Sequence, residues 1–178
     1  MKNKLLYFNL AINDTDTSLG FAIKWIETIS KNFDQVDVVT LKKVTNTKFA
    51  ENISVYGPDE KAGRFSKYLI FFKQVKKLTK ENSYTRCFSH MSPISIFLSS
   101  FYLIKYKIKT TLWFTHPGPN FGIKKVILFV SMLISEYIVT ASNSSFPFKN
   151  KKVKVIGHAI DLEKFNFDRK TFEIKKFL

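Results

Sequence analysis

The chain has 178 residues, 29 basic and 14 acidic side chains, a formal charge of +15 and 45% apolar residues. That is enough for one medium domain with a sizeable core, and too apolar and aromatic for a disordered tail. The single cysteine, Cys87, excludes a disulfide scaffold, and His90, His116 and His158 stand too far apart for a zinc site, so no metal is expected. The longest uncharged apolar run, Val126 to Ser135, is half of the roughly 20 residues a bilayer span needs.

The apolar start is broken by Asn9 and followed by Asp14 and Asp16 without a cleavage-site pattern, so it reads as a buried strand of a cytoplasmic protein rather than as a signal peptide. That strand covers Lys4 to Ala11, and a polar loop from Ile12 to Ser18 follows. Leu19 to Asn32 sets Phe21, Ile23, Trp25, Ile26 and Ile29 at helical spacing. Gln35 to Leu41 and Ile53 to Tyr56 read as strands. Residues 61–80 read as a basic amphipathic helix with Phe65, Leu69, Phe72 and Val75 inward. A strand from Arg86 to His90 follows, then a helix opened by Pro93 and running to about Tyr106. The strand Thr110 to His116 is stopped by Pro117, and Asn120 is placed to cap a helix running to Ser135. Tyr137 to Ala141 and Val153 to Ile156 supply two last strands. This alternation predicts an α/β, Rossmann-like parallel sheet flanked by helices, with ligands at the carboxyl ends of the strands.

Charge is unevenly placed. Residues 1–60 carry 7 basic and 8 acidic side chains, whereas residues 61–160 carry 17 basic ones against Glu81 and Glu136 alone. Such a field attracts polyanions: nucleic acid, anionic lipid headgroups or phosphorylated substrates. Base-composition bias also enriches lysine, and 26 of the 29 basic residues are Lys, but bias does not account for the shortage of acids after residue 60.

The loop from Asn13 to Gly20 joins the first strand to the first helix, where a glycine lets backbone N–H groups approach an anion. An ordinary turn capped by Ser18 is the competing reading. Neither a dinucleotide fingerprint nor a P-loop is present. His90 and His116 each end an expected strand, which favours a polar ligand site on that edge. Cys87 lies inside a strand and is expected to be buried and inert. Val155, Ile156, Gly157, His158, Ala159, Ile160 and Asp161, followed by Phe165, form the most distinctive segment.

That segment resembles the end of the N-terminal domain in retaining glycosyltransferases of family 4, which have the two-domain GT-B fold. Leu19-Gly20-Phe21, Ser89-His90-Met91-Ser92-Pro93, Trp113-Phe114-Thr115-His116 and Val139-Thr140-Ala141-Ser142 resemble the family's other strand ends, in the right order over residues 4–167. The resemblance implies that His116 contacts the transferred sugar, that Gly20 lies near the donor diphosphate or the reacting sugar, and that His90, Asp14 and Ser18 border the acceptor cleft. Asp161 and Phe165 are then structural, and His158 stands where the family has Asn or Gln. Residues 1–167 would form the acceptor-side domain, and 168–178 the hinge and the start of a donor-binding domain. The implied partners are a nucleotide-sugar donor and a glycan or lipid-linked acceptor, with no cofactor and no nucleic acid. Docking of the basic helix would place the protein peripherally on an anionic membrane, at the inner face of the plasma membrane. Three alternatives stay open: a nucleic-acid-binding domain, an inactive basic Rossmann-like domain kept for interaction or membrane docking, and an epimerase-like GT-B relative.

Overall fold

The computed structural model describes residues 3–13, 21–44, 47–59, 61–63, 65–119 and 121–157. Its main sheet has seven parallel strands: β1 (Lys4–Asn9), β3 (Gln35–Thr40), β5 (Ile53–Tyr56), β6 (Arg86–His90), β7 (Lys109–Trp113), β8 (Tyr137–Thr140) and β9 (Val153–Val155). The order is β5-β3-β1-β6-β7-β8-β9. The chain first builds outward from β1 to one side, then crosses back and builds outward to the other. The reversal between β1 and β6 opens a crevice at the carboxyl end of these two strands. Asn9 of β1 is in register there with His90 of β6.

The apolar run of β1 is explained by burial on both faces. Leu6 and Phe8 face a core shared with α2 (Ser66–Glu81), α3 (Pro93–Lys105) and α4 (Ile123–Ile134), while Leu5 and Tyr7 face a second core against α1 (Phe21–Ser30). Pro93 opens α3, where its missing N–H costs no helical bond. The last carbonyls of α4 are met by the Lys152 ammonium, which donates to Leu133 at 2.9 Å and Ser135 at 2.8 Å. The last turn of α1 is held by Asn52, whose amide donates to the carbonyls of Ser30 and Phe33.

Several boundaries differ from the sequence expectation. The strand expected at Lys4 to Ala11 stops at Asn9, because the Asn9 side chain bends the chain: it donates to the Ala11 carbonyl and accepts from the Leu10 N–H. The next residues pair again, as β2 (Ile12–Asn13) with β4 (Lys43–Val44), in a small parallel sheet. Two-residue strands leave no periodic trace in a sequence. The strand expected to reach His116 ends at Trp113, and α4 is capped at Gly122, with φ of 84°, two residues past the expected Asn120. Asn120 lies outside the described residues.

The largest correction concerns α2. Its buried line is Phe71, Val75, Leu78 and Thr79; Phe65 is 80% exposed, Leu69 61% and Phe72 36%. Two apolar lines compete on this helix. The one through Phe65, Leu69 and Phe72 continues into Lys76 and Lys80, whereas the one through Phe71 and Val75 continues into Leu78 and Thr79 without a charge. The line free of lysine takes the core.

Candidate functional site

The carboxyl edge of the sheet is built around aromatic rings. His90 ends β6 with its side chain on the α1 side of the sheet, in register with Trp113 of β7. Trp25 of α1 lies over both, with ring centroids 5.1 Å from His90 and 5.1 Å from Trp113, and stacks on Phe88 at 6.3 Å. His90 and Trp113 are buried beneath it. Burial pushes the His90 imidazole down to about 4, so at neutral pH it is an uncharged donor and acceptor rather than a cation for phosphate.

The turn after His90 is fixed in an unusual conformation. Met91 has φ of 54°, in the left-handed region that non-glycine residues seldom adopt. Its N–H donates to the Trp113 carbonyl at 2.9 Å, and its sulfur accepts from the Thr115 hydroxyl at 3.5 Å. Behind it, the Ser89 hydroxyl donates to the Ser92 carbonyl and the Ser92 and Ser95 hydroxyls lie 2.6 Å apart, all three buried. These bonds tie the end of β6 to both the end of β7 and the start of α3.

His116 lies three residues past the end of β7 and is exposed, with its ring edge-on to Phe114 at 6.1 Å. Gly118 follows with φ of 78°; a side-chain carbon there would lie 2.7 Å from Pro147. The chain therefore turns tightly under the segment that carries His116. On the same edge, after β8, the Ser142 hydroxyl is 2.7 Å from that of Ser145. The edge thus gathers an uncharged buried imidazole, an exposed imidazole, two indoles and serine hydroxyls.

His90 ends its strand as expected and is buried, whereas His116 lies three residues past the end of the adjacent strand and is exposed. Asp14, Ser18, Gly20, His158, Asp161 and Phe165 lie outside the described residues. Cys87 is buried, and burial pushes its thiol far above the usual range, so it is inert as expected. The pairing of Trp25 with Trp113 was not foreseen. The available signal was that Trp25 lies on the inward line of its helix while Trp113 precedes the strand-stopping turn. Among the described residues no cluster of three or more His, Cys, Asp or Glu could hold a metal ion, and no helix is long and apolar enough to cross a membrane.

No protein-family model and no curated protein sequence matches the chain. Solved structures do. A UDP-N-acetylglucosamine 2-epimerase aligns with 87% of this chain and 48% of its own at a TM-score of 0.58 and 9% identity. HepE of Anabaena, solved with UDP and glucose, aligns over 90% of this chain and 46% of its own, with a TM-score of 0.56 and 10% identity. MurG of Acinetobacter baumannii covers 89% and 46%, at 0.54 and 12%. The chain spans just under half the length of these structures. Its seven-stranded parallel sheet flanked by helices is the Rossmann-like fold of one half of a GT-B-type enzyme.

Proposed function

We propose that the chain is the acceptor-side half of a retaining glycosyltransferase resembling family 4, acting on a nucleotide sugar and a glycan or lipid-linked acceptor. Residues 1–167 form that half, and residues 168–178 lead into the donor-binding half. The observation that supports this reading is the strand order reversing at β1 and β6, on a sheet that aligns over most of its length with halves of a UDP-N-acetylglucosamine 2-epimerase and of HepE bound to UDP and glucose.

In this reading His116 meets the transferred sugar, its exposed imidazole presented by the turn at Gly118. Gly20 lies at the donor diphosphate, where backbone N–H groups at the start of α1 stabilise the departing negative charge. Asp14, Ser18 and His90 border the acceptor. An oxocarbenium-like transition state develops as the bond to the diphosphate lengthens, and fixed donors aimed at that oxygen lower its energy more than that of the ground state. His90, uncharged, contributes hydrogen bonding and the seating of the indoles, not countercharge.

The chain carries its own reporters. Its two tryptophans, Trp25 and Trp113, both sit in the ring cluster beside His90, so their indole N–H resonances respond to occupancy of this edge and to little else. Titrating soluble glycan acceptors into the labelled protein should shift both signals, whereas UDP alone, which the donor-binding half holds in this reading, should leave them in place. Indoles that ignore a panel of glycan acceptors, or that answer to UDP alone, would overturn the reading. Robust sugar transfer by residues 1–178 alone would overturn the division of labour placed at residue 168.

A further inference from the structure

The outer surface of α2 and α3 is the least protein-like part of the molecule. Phe65, Leu69 and Phe72 share one shoulder of α2, at i, i+4 and i+7, and Phe101 and Ile104 of α3 are 61% and 64% exposed. The two helices join through rings: Phe72 lies 5.5 Å from Tyr102, which meets Phe101 edge-on at 5.2 Å. The Lys105 ammonium lies over the Phe101 and Tyr106 rings, at 5.8 and 5.5 Å. The apolar shoulder of α2 runs on into Lys73, Lys76 and Lys80. From residue 61 to 160 only Glu81 and Glu136 oppose 17 basic side chains.

We propose that this α2–α3 face docks on an anionic lipid bilayer, with Phe65, Leu69, Phe101 and Ile104 entering the headgroup region and the lysines pairing with lipid phosphates. Large exposed rings and aliphatic side chains in a contiguous surface mark an interaction site rather than ordinary surface. A second copy of the same face would bring like-charged lysines together, and a nucleic acid would leave the aliphatic side chains without a partner. An anionic bilayer satisfies both chemistries at once, because lysines place their stems on apolar surface and their ammonium groups among phosphates. The sequence expectation of Phe65, Leu69 and Phe72 packed inward left docking dominated by the lysines; with these three side chains outward, part of the attachment resists salt. The inference stands apart from sugar transfer, since vesicle binding needs neither donor nor acceptor.

The test is co-sedimentation of the full chain with phosphatidylcholine vesicles, with and without phosphatidylglycerol, at low and high salt. Wild type should bind the anionic vesicles and retain a measurable fraction at high salt. Replacing Lys73, Lys76, Lys77 and Lys80 by Gln should weaken low-salt binding by about a hundredfold or more. Replacing Phe65, Leu69, Phe101 and Ile104 by Gln should leave low-salt binding largely in place and weaken the salt-resistant part by about tenfold. All eight side chains are exposed, so both variants should keep the wild-type circular dichroism. Equal binding to neutral vesicles, no binding to anionic ones, or a salt response untouched by the apolar variant would overturn the proposal. So would dimers or DNA complexes that depend on this face in the absence of vesicle binding.

Discussion

His90 and His116 stand at the carboxyl ends of adjacent strands, yet the chain uses them in opposite ways. His90 is the last residue of its strand in register, so the alternation of the pleat directs its ring to the α1 side, where Trp25 covers it together with Trp113. His116 comes three residues after register is lost, on a turn set by Pro117 and Gly118, and its ring stays exposed against Phe114. A strand-end histidine is thus claimed by packing while the ladder lasts and becomes available to a ligand once it ends. The comparison predicts that one histidine answers to the stability of the fold and the other to its contents.

The largest expected effect is at the ring cluster that distinguishes them. Trp113→Ala removes a 5% exposed indole from beneath Trp25, beside His90, and should destabilise the chain by about 3–5 kcal/mol, read from urea denaturation. A loss under about 1 kcal/mol would mean that the edge collapses freely and that His90 is not held there.

The second effect is a dependence on pH. The His90 imidazole is held at about 4 in the folded chain, below its ordinary 6.5, because burial penalises the charged form. The unfolded chain therefore binds a proton first as pH falls. The stability of the neutral buried form is fully present above the unfolded value and is lost as pH drops toward 4, in total on the order of 3 kcal/mol. Carboxylates protonate at the low end of this window in wild type and variant alike. Denaturation midpoints of wild type and His90→Gln should thus diverge between about pH 7 and pH 4.5, with the flatter profile in the variant. Parallel profiles would show that the imidazole titrates as if hydrated.

Much of this edge was legible before the structure. The alternation of short β-like runs and helical spacing located the seven strands of the main sheet and the four helices among the described residues, most plainly at β1, whose burial on both faces calls for a near-continuous apolar run. What failed were quantities that depend on competition. On α2 two apolar lines were available, and only the sheet beneath decides which is covered, so the outward placement of Phe65 and Leu69 was invisible locally. The strand ending at Trp113 rather than His116 depends on a neighbour: the Phe114 N–H still reaches the Val139 carbonyl, but ladder pairing stops one residue earlier. The pairing of Ile12–Asn13 with Lys43–Val44 joins residues thirty-one apart through two-residue strands, too short for periodicity to register. For the site, the sequence supplied the histidines and the strand ends but not the Trp25 ring above them, because a tryptophan on the inward line of a helix looks like core whatever lies opposite.

A smaller effect separates the two glycines that follow His116. Gly118 and Gly122 have φ of 78° and 84°, but a side-chain carbon at Gly118 would meet Pro147 at 2.7 Å, whereas one at Gly122 meets nothing within 4 Å. Gly118→Ala should cost about 2–3 kcal/mol, combining left-handed backbone with a close contact, and Gly122→Ala about 1 kcal/mol from backbone alone. Equal costs would show that Pro147 yields and that the turn under His116 is soft.

The smallest expected effect on stability falls on His116 itself. Its ring is exposed, with the Phe114 ring edge-on at 6.1 Å, so His116→Ala should shift stability by no more than about 0.5 kcal/mol. The same variant should blunt the response of the Trp25 and Trp113 indole resonances to glycan acceptors, because an exposed imidazole at the sheet edge offers hydrogen bonds to a bound sugar. Stability and ligand response then move independently at His116, and together at Trp113, where loss of the ring disturbs both the core and the edge. If His116→Ala instead lowered stability as much as Trp113→Ala, the exposed turn would be part of the core support, and the division between the two strand-end histidines would not hold.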